Sequence, residues 1–155
     1  MTALQDGTAA ARPTVSRPDI TLALAEHLLA GVTAEARARG KAMGAAVVDR
    51  AGNHVAAVRM DGAQIVAVPL AVDKAYTAVA CGMPTDAWTP TTQPGGADWG
   101  FNTTLGGRMV VFAGGVPVVV DGEVVGGLGV SGAAAAVDKA CAQAGLSAAG
   151  LPAAA

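Results

Sequence analysis

The chain has 155 residues, of which 52% are hydrophobic and 14% charged, with a formal net charge of −2 and a pI near 5.5. That length suits one domain around one core, and the ten Lys and Arg residues are scattered rather than gathered into a basic stripe for nucleic acid. No apolar run reaches the roughly 18 residues of a membrane span, and the N-terminus lacks the apolar stretch of a secretory signal, so the sequence predicts a cytoplasmic protein without nucleic-acid or membrane partners.

Soluble domains usually carry about 25% charged residues. Falling well below that figure while reaching a mean hydropathy of +0.45 leaves apolar side chains on the surface of a single copy, which predicts a homo-oligomer.

In chain order, residues 1–17 lack periodicity and read as a flexible arm. A helix follows: Pro18 stands near its start, Asp19 or Thr21 can cap it, and Leu22, Ala25, Leu28, Leu29, Val32 and Ala36 recur at helical spacing until Gly40. Val-rich residues 42–49, the turn segment DRAGN and the alternating residues 54–60 predict a β-hairpin in which Asp49 and Asn53 bond local backbone. A second helix is expected from about residue 67 or 68 to Gly82, with Pro69 tolerated in its first turn.

Residues 83–108 are rich in Pro, Gly and Thr with no sustained period, and a loop of that length in a compact domain usually works on something. The runs MVVFAGG, VPVVVDG and EVVGGLGVSG then read as three strands separated by glycine turns. A last helix is expected over 133–144, stopped by Gly145, ahead of a frayed tail at 149–155. The sum is an α+β domain spanning 18–148, with a five-stranded antiparallel sheet covered by helices.

The chain has no Walker, HExxH or GxSxG motif. Cys81 and Cys141 lack metal-site spacing and read as buried hydrophobes, and no metal site is expected. His27 and His54 each stand alone in sequence and read as solvated or hydrogen-bonded side chains. Glycines in GGLGVSG allow close approach of a helix, another subunit or a flat ligand. Arg59, Asp61, Asp73 and Lys74 have two readings: ion pairs tying helix to sheet, or, for Arg59 and Lys74, receivers of a ligand's carboxylates. Trp99, Phe101, Asn102, Thr103 and Thr104 either line a pocket for a planar molecule or belong to a loop folded over the core.

Four blocks, AVVDRAGNHVAAVRMDGA, AVDKAYTAVACGMPT, PGGADWGFNTTLGGRMVVFAGGVPVVVDGEVVGGLGVSGA and DKACAQAGLSA, resemble in this order the haem-degrading or haem-binding family that includes GlcG and HbpS proteins and the C-terminal domain of PduO-type proteins. The resemblance implies a profilin-like layered domain, assembly from dimers up to octamers, and haem or another flat, anionic tetrapyrrole as the small-molecule ligand. It carries over as candidates Arg59, Met60 and Asp61 of RMDG, Asp73, Lys74 and Thr77 of DKAYT, Met83 of GMPT, and Asn102, Thr103 and Thr104 of NTT. This chain departs from the family where GVSGAAAAVDKA keeps Asp138 alone of an acidic pair. The alternative is a cofactor-independent enzyme acting on a small carbonyl or aromatic metabolite, with Asp61 or Asp73 as general base and Lys74 or a threonine hydroxyl steadying an oxyanion.

Overall fold

The computed structural model describes residues 14–154, so most of the expected N-terminal arm lies outside the described residues. Helix α1 (Leu22–Ala38) buries Ala25, Leu28, Leu29, Val32 and Ala36, the stripe that its spacing predicts. Thr21 supplies the cap, its Oγ1 accepting from Leu24 N at 3.2 Å. Asp19 instead accepts from Arg50 N at 2.9 Å and so ties the start of α1 to the hairpin turn.

Strands β1 (Gly44–Asp49) and β2 (His54–Arg59) form the expected hairpin. Asp49 Oδ1 accepts from Ala51 N at 2.9 Å and Asn53 N at 2.7 Å, while Asn53 Nδ2 donates to Asp49 Oδ2 at 3.0 Å. Partial burial raises the Asp49 carboxyl, but these hydrogen bonds outweigh it and hold the group below its ordinary range.

Helix α2 (Ala67–Cys81) and the long loop lead to β3 (Gly115–Val120), β4 (Glu123–Ser131) and α3 (Ala135–Ala148). The sheet has four antiparallel strands in the order β2-β1-β4-β3, not five. The strand expected at MVVFAGG does not form because side chains outside the sheet take up its backbone. Val110 N donates to Thr77 Oγ1 on α2 at 3.0 Å, and the carbonyls of Val111 and Phe112 accept from the hydroxyls of Thr89 at 2.7 Å and Thr85 at 2.6 Å. A segment so satisfied has no need of a strand partner.

One face of the sheet carries α1 and α3, and the other carries α2. Leu28, Val32, Val47, Val116, Val118, Leu128, Val130 and Leu146 are fully buried between the sheet and α1/α3, where each is worth roughly 1.5–3 kcal/mol of transfer free energy. Gly145, expected to stop α3, lies inside it. A Cβ there would stand 2.8 Å from Val32 Cγ2 and 3.0 Å from Leu28 O, so this glycine lets α3 cross closely over α1. On the opposite face, Cβ atoms at Gly127 and Gly129 would run into the carbonyls of Ala75 and Ala71, which sets α2 directly on the backbone of β4.

Of the three readings of GGLGVSG, the approach of a helix is thus the observed one. The C-terminal residues also pack: Leu151 N donates to Leu146 O at 2.9 Å and Gln143 Nε2 to Ala154 O at 2.9 Å. Among the described residues no helix is long and apolar enough to cross a membrane. Replacing Gly129 by Ala must push α2 off the sheet, and a loss of about 1–3 kcal/mol is expected. Thermal unfolding followed by circular dichroism checks this, as a drop of several degrees in midpoint.

Candidate functional site

Lys74 sits in the middle of α2 and is completely enclosed. Its ammonium donates to Asp138 Oδ2 of α3 at 2.7 Å and to Val130 O of β4 at 2.9 Å, and faces the Phe112 ring with 5.0 Å to the centroid. Asp138 is almost as buried, and its other oxygen accepts from Ala133 N at 3.0 Å. Gly114 makes room for the ammonium, since a Cβ there would lie 2.6 Å from Nζ. Burial pulls Lys74 below the ordinary lysine range, while the hydrogen bond and charge of Asp138 oppose that shift. Of the two readings of Lys74, the ion pair is the one observed, and the ammonium does not reach the surface.

Its neighbours on α2 hold the long loop. Asp73 pairs with Arg108, Oδ1 to Nε at 3.2 Å, and the guanidinium stacks 3.6 Å from the centre of the Tyr76 ring. Thr77 donates to Asp73 O at 2.8 Å and accepts from Val110 N. Thr85, fully buried, donates to Phe112 O and accepts from Gly115 N at 3.1 Å. These threonines anchor the return of the loop, a role that no local sequence pattern announces.

The other candidates divide among three places. Arg59, Met60 and Asp61 line a surface depression of about 280 Å³ together with Arg37 and Val58. Arg59 donates to Ala63 O at 2.7 Å, and Met60 Sδ accepts from Met43 N at 3.4 Å. Neither Arg37 nor Arg59 has a carboxylate partner among the described residues. Met83 belongs to a separate apolar groove of about 260 Å³, lined also by Pro84, Pro117, Val119 and Ala154.

Asn102, Thr103 and Thr104 lie exposed on a 3-10 turn, with the threonine hydroxyls turned back onto Gly100 O and Phe101 O, each at 2.7 Å. Phe101 stacks on Trp88 with ring centres 4.3 Å apart, so this part of the loop folds on its own aromatics, whereas Trp99 stays 63% exposed.

Both histidines lie at the surface. His27 stands on the exposed face of α1 beside Ala23, Glu26 and Ala30. Its Nδ1 lies 3.2 Å from Ala23 O. A carbonyl only accepts, so Nδ1 is the donor in that contact, and in the neutral ring Nε2 is the nitrogen left to accept. His54 is exposed at the start of β2. The signal for His27 in the sequence is its place on the polar side of the α1 stripe. Cys141 is buried and Cys81 half-buried, and burial pushes both thiols up.

These features define a three-layer α+β domain whose interior is closed by a buried ion pair and whose candidate binding groups lie on the outside. The chain belongs to the family described as haem degrading protein HbpS-like, whose model matches residues 20–147.

Among solved structures it resembles the Klebsiella pneumoniae protein ORFY, with a TM-score of 0.88 and 32% identity over 90% of this chain and 96% of that one. A PduOC–haem complex gives 0.84 and 30%, over 88% and 99%. An HbpS structure gives 0.80 and 31%, over 89% and 96%. In sequence the chain is 37% identical over 120 residues to an uncharacterised 15.0 kDa protein of the dhaT-dhaS intergenic region of Citrobacter freundii, covering 77% of this chain and 84% of that protein. It is 35% identical over 139 residues to the corrinoid adenosyltransferase PduO of Salmonella typhimurium, covering 87% of this chain but only 41% of PduO.

Replacing Lys74 by Met strands the Asp138 carboxylate in the interior, and a loss of about 3–5 kcal/mol is expected. The double variant Lys74→Met/Asp138→Leu, which removes both charges, is expected to recover most of it, and denaturant titration of the three proteins measures the difference.

Proposed function

We propose that the protein binds haem or a closely related tetrapyrrole as a small-molecule-binding member of its family. The observation that carries this reading is the agreement of fold and sequence, along nearly the whole chain, with a protein solved as a haem complex. The donor chemistry here fits such a ligand. His27 offers a free imidazole nitrogen on a helix face of small side chains, as iron requires. Arg37 and Arg59 offer guanidinium groups for carboxylates beside the apolar Val58 and Met60. Bound haem would supply a redox-active iron.

Each of the depressions around His27, Arg59 and Met83 holds no more than about 280 Å³. That lies below the roughly 300–1,000 Å³ of pockets that enclose a drug-sized molecule. A flat ligand therefore rests on an open face or between copies in a homo-oligomer. Asn102 and Met83 are exposed at such a junction, where Thr103 and Thr104, whose hydroxyls donate to Gly100 O and Phe101 O, offer only acceptor lone pairs. Asp73 and Thr77 support the site by holding the long loop to α2, and Lys74 by tying α2 to α3 and β4. Among the general-base candidates, Asp73 is taken up by Arg108 and Asp61 is exposed, so nothing specific favours the enzyme reading.

Titration with haem, followed by absorbance, is expected to shift the Soret band and saturate. Changing His27 to Ala should weaken binding at least about tenfold, and His54→Ala should leave it unchanged. A wild-type spectrum equal to that of free haem overturns the haem reading, and a His27→Ala titration that matches wild type overturns the assignment of His27.

A further inference from the structure

We infer that β2 is an interface strand, which pairs antiparallel with β2 of a second copy about a two-fold axis at Ala57. The two edges of the sheet are treated differently. At β3 the first part of the outer row is blocked: Gly115 N donates to Thr85 Oγ1 at 3.1 Å, the Gly115 carbonyl accepts from the same hydroxyl at 3.5 Å, and the outward-facing Pro117 has no N–H. At β2 the outer row is open among the described residues.

Met60 N donates to Met43 O at 2.9 Å, which turns Met60 toward β1. Alternation then turns Val58 and Ala56 the same way, opposite Ala45 and Val47, and points the backbone N–H and C=O of Ala57 and Arg59 outward. Among the described residues nothing bonds to those outward groups. Their strand, HVAAVR, has no Lys, Pro or acidic residue to discourage pairing. Ala57 is exposed, and Val55, Ala56 and Val58 are only half-buried.

A second copy fits this edge in a particular register. Outward-facing residues must meet outward-facing ones, so the two-fold axis falls at Ala57, at Val58 or at Arg59. The last sets Arg59 against its own copy, a like-charge pair. The middle one leaves the two Arg59 groups diagonal neighbours. Pairing Ala57 with Ala57 instead separates them by four residues, roughly 14 Å along the strand, and sets Arg59 opposite the second copy's Val55 and Val58 opposite its Ala56. The extra residue between Val47 and Val48, at Val55, ends the regular edge there and limits pairing to this short stretch. The low charge content of the chain agrees with a surface shared between copies. The inference stands without the ligand reading, although Arg59 also lines the depression beside Arg37.

Directly opposed, hydrogen-bonded residues lie about 5.5 Å apart at Cα, within the 4.4–6.8 Å that a disulfide spans. Under mild oxidation Ala57→Cys is therefore expected to give a covalent dimer on a non-reducing gel, and Arg59→Cys and wild type, with their native cysteines, are not. Ala57→Glu sets two carboxylates face to face and is expected to lower the mass in sedimentation equilibrium while the circular dichroism spectrum stays native. A covalent yield for Ala57→Cys no greater than for Arg59→Cys overturns the interface, as does a wild type that sediments as a monomer at micromolar concentration. Should Ala57→Glu fail to fold, the cross-linking result decides.

Discussion

The ion pair between Lys74 and Asp138 governs the contacts around it. Its two members come from helices on opposite sides of the sheet, and they meet at the carbonyl of Val130, past the end of the β3–β4 ladder. A buried charge without a partner is so costly that neither helix can shift without the other. The glycines follow from the same requirement. Gly127 and Gly129 bring α2 onto the backbone of β4, which puts Lys74 within reach, and Gly114 leaves the space that the ammonium fills.

This arrangement decides where binding chemistry can reside. The interior charge is satisfied within the chain, and the buried threonines of α2 and the long loop are engaged with backbone groups. The groups left with capacity stand outside: the Nε2 of His27, the guanidinium groups of Arg37 and Arg59, the exposed turn at Asn102–Thr104 and the open row of β2. The proposed ligand and the inferred second copy would both be met across exposed faces.

Much of the fold is legible in the sequence because it is written in local signals. The stripe of α1, the Asp49–Asn53 turn and the start of α2 ahead of Pro69 each depend on residues a few positions apart. The strand expected at MVVFAGG fails for the opposite reason: its composition suits a strand, but its hydrogen-bond partners are threonines 22 to 33 residues away in sequence. Gly145 reads as a helix stop by propensity and is overruled by the crossing of α1 over α3. Lys74 stands out in the sequence as a charge on an apolar helix, yet its partner lies 64 residues on, a distance that no spacing rule spans. The candidate residues, one set by family resemblance, fall in several places because the tertiary fold, which local sequence does not carry, sets them apart: Arg59 ends the edge strand β2, Lys74 points inward to β4 and α3, Met83 lies beside Pro117 and Val119, and Asn102 stands on an exposed turn.

If Lys74 is sealed inside the folded chain as a structural charge, its amine must be unreactive until the protein unfolds. Acylation of the native protein by a small amine-reactive ester, read site by site by mass spectrometry, reports on this with internal controls, because Lys41 is exposed and Lys139 half-exposed. Lys41 is expected to react first, Lys139 more slowly and Lys74 only once the protein is unfolded. Modification of Lys74 in the folded protein at the rate of Lys41 would show instead that the pair opens to solvent and does not lock the two helices.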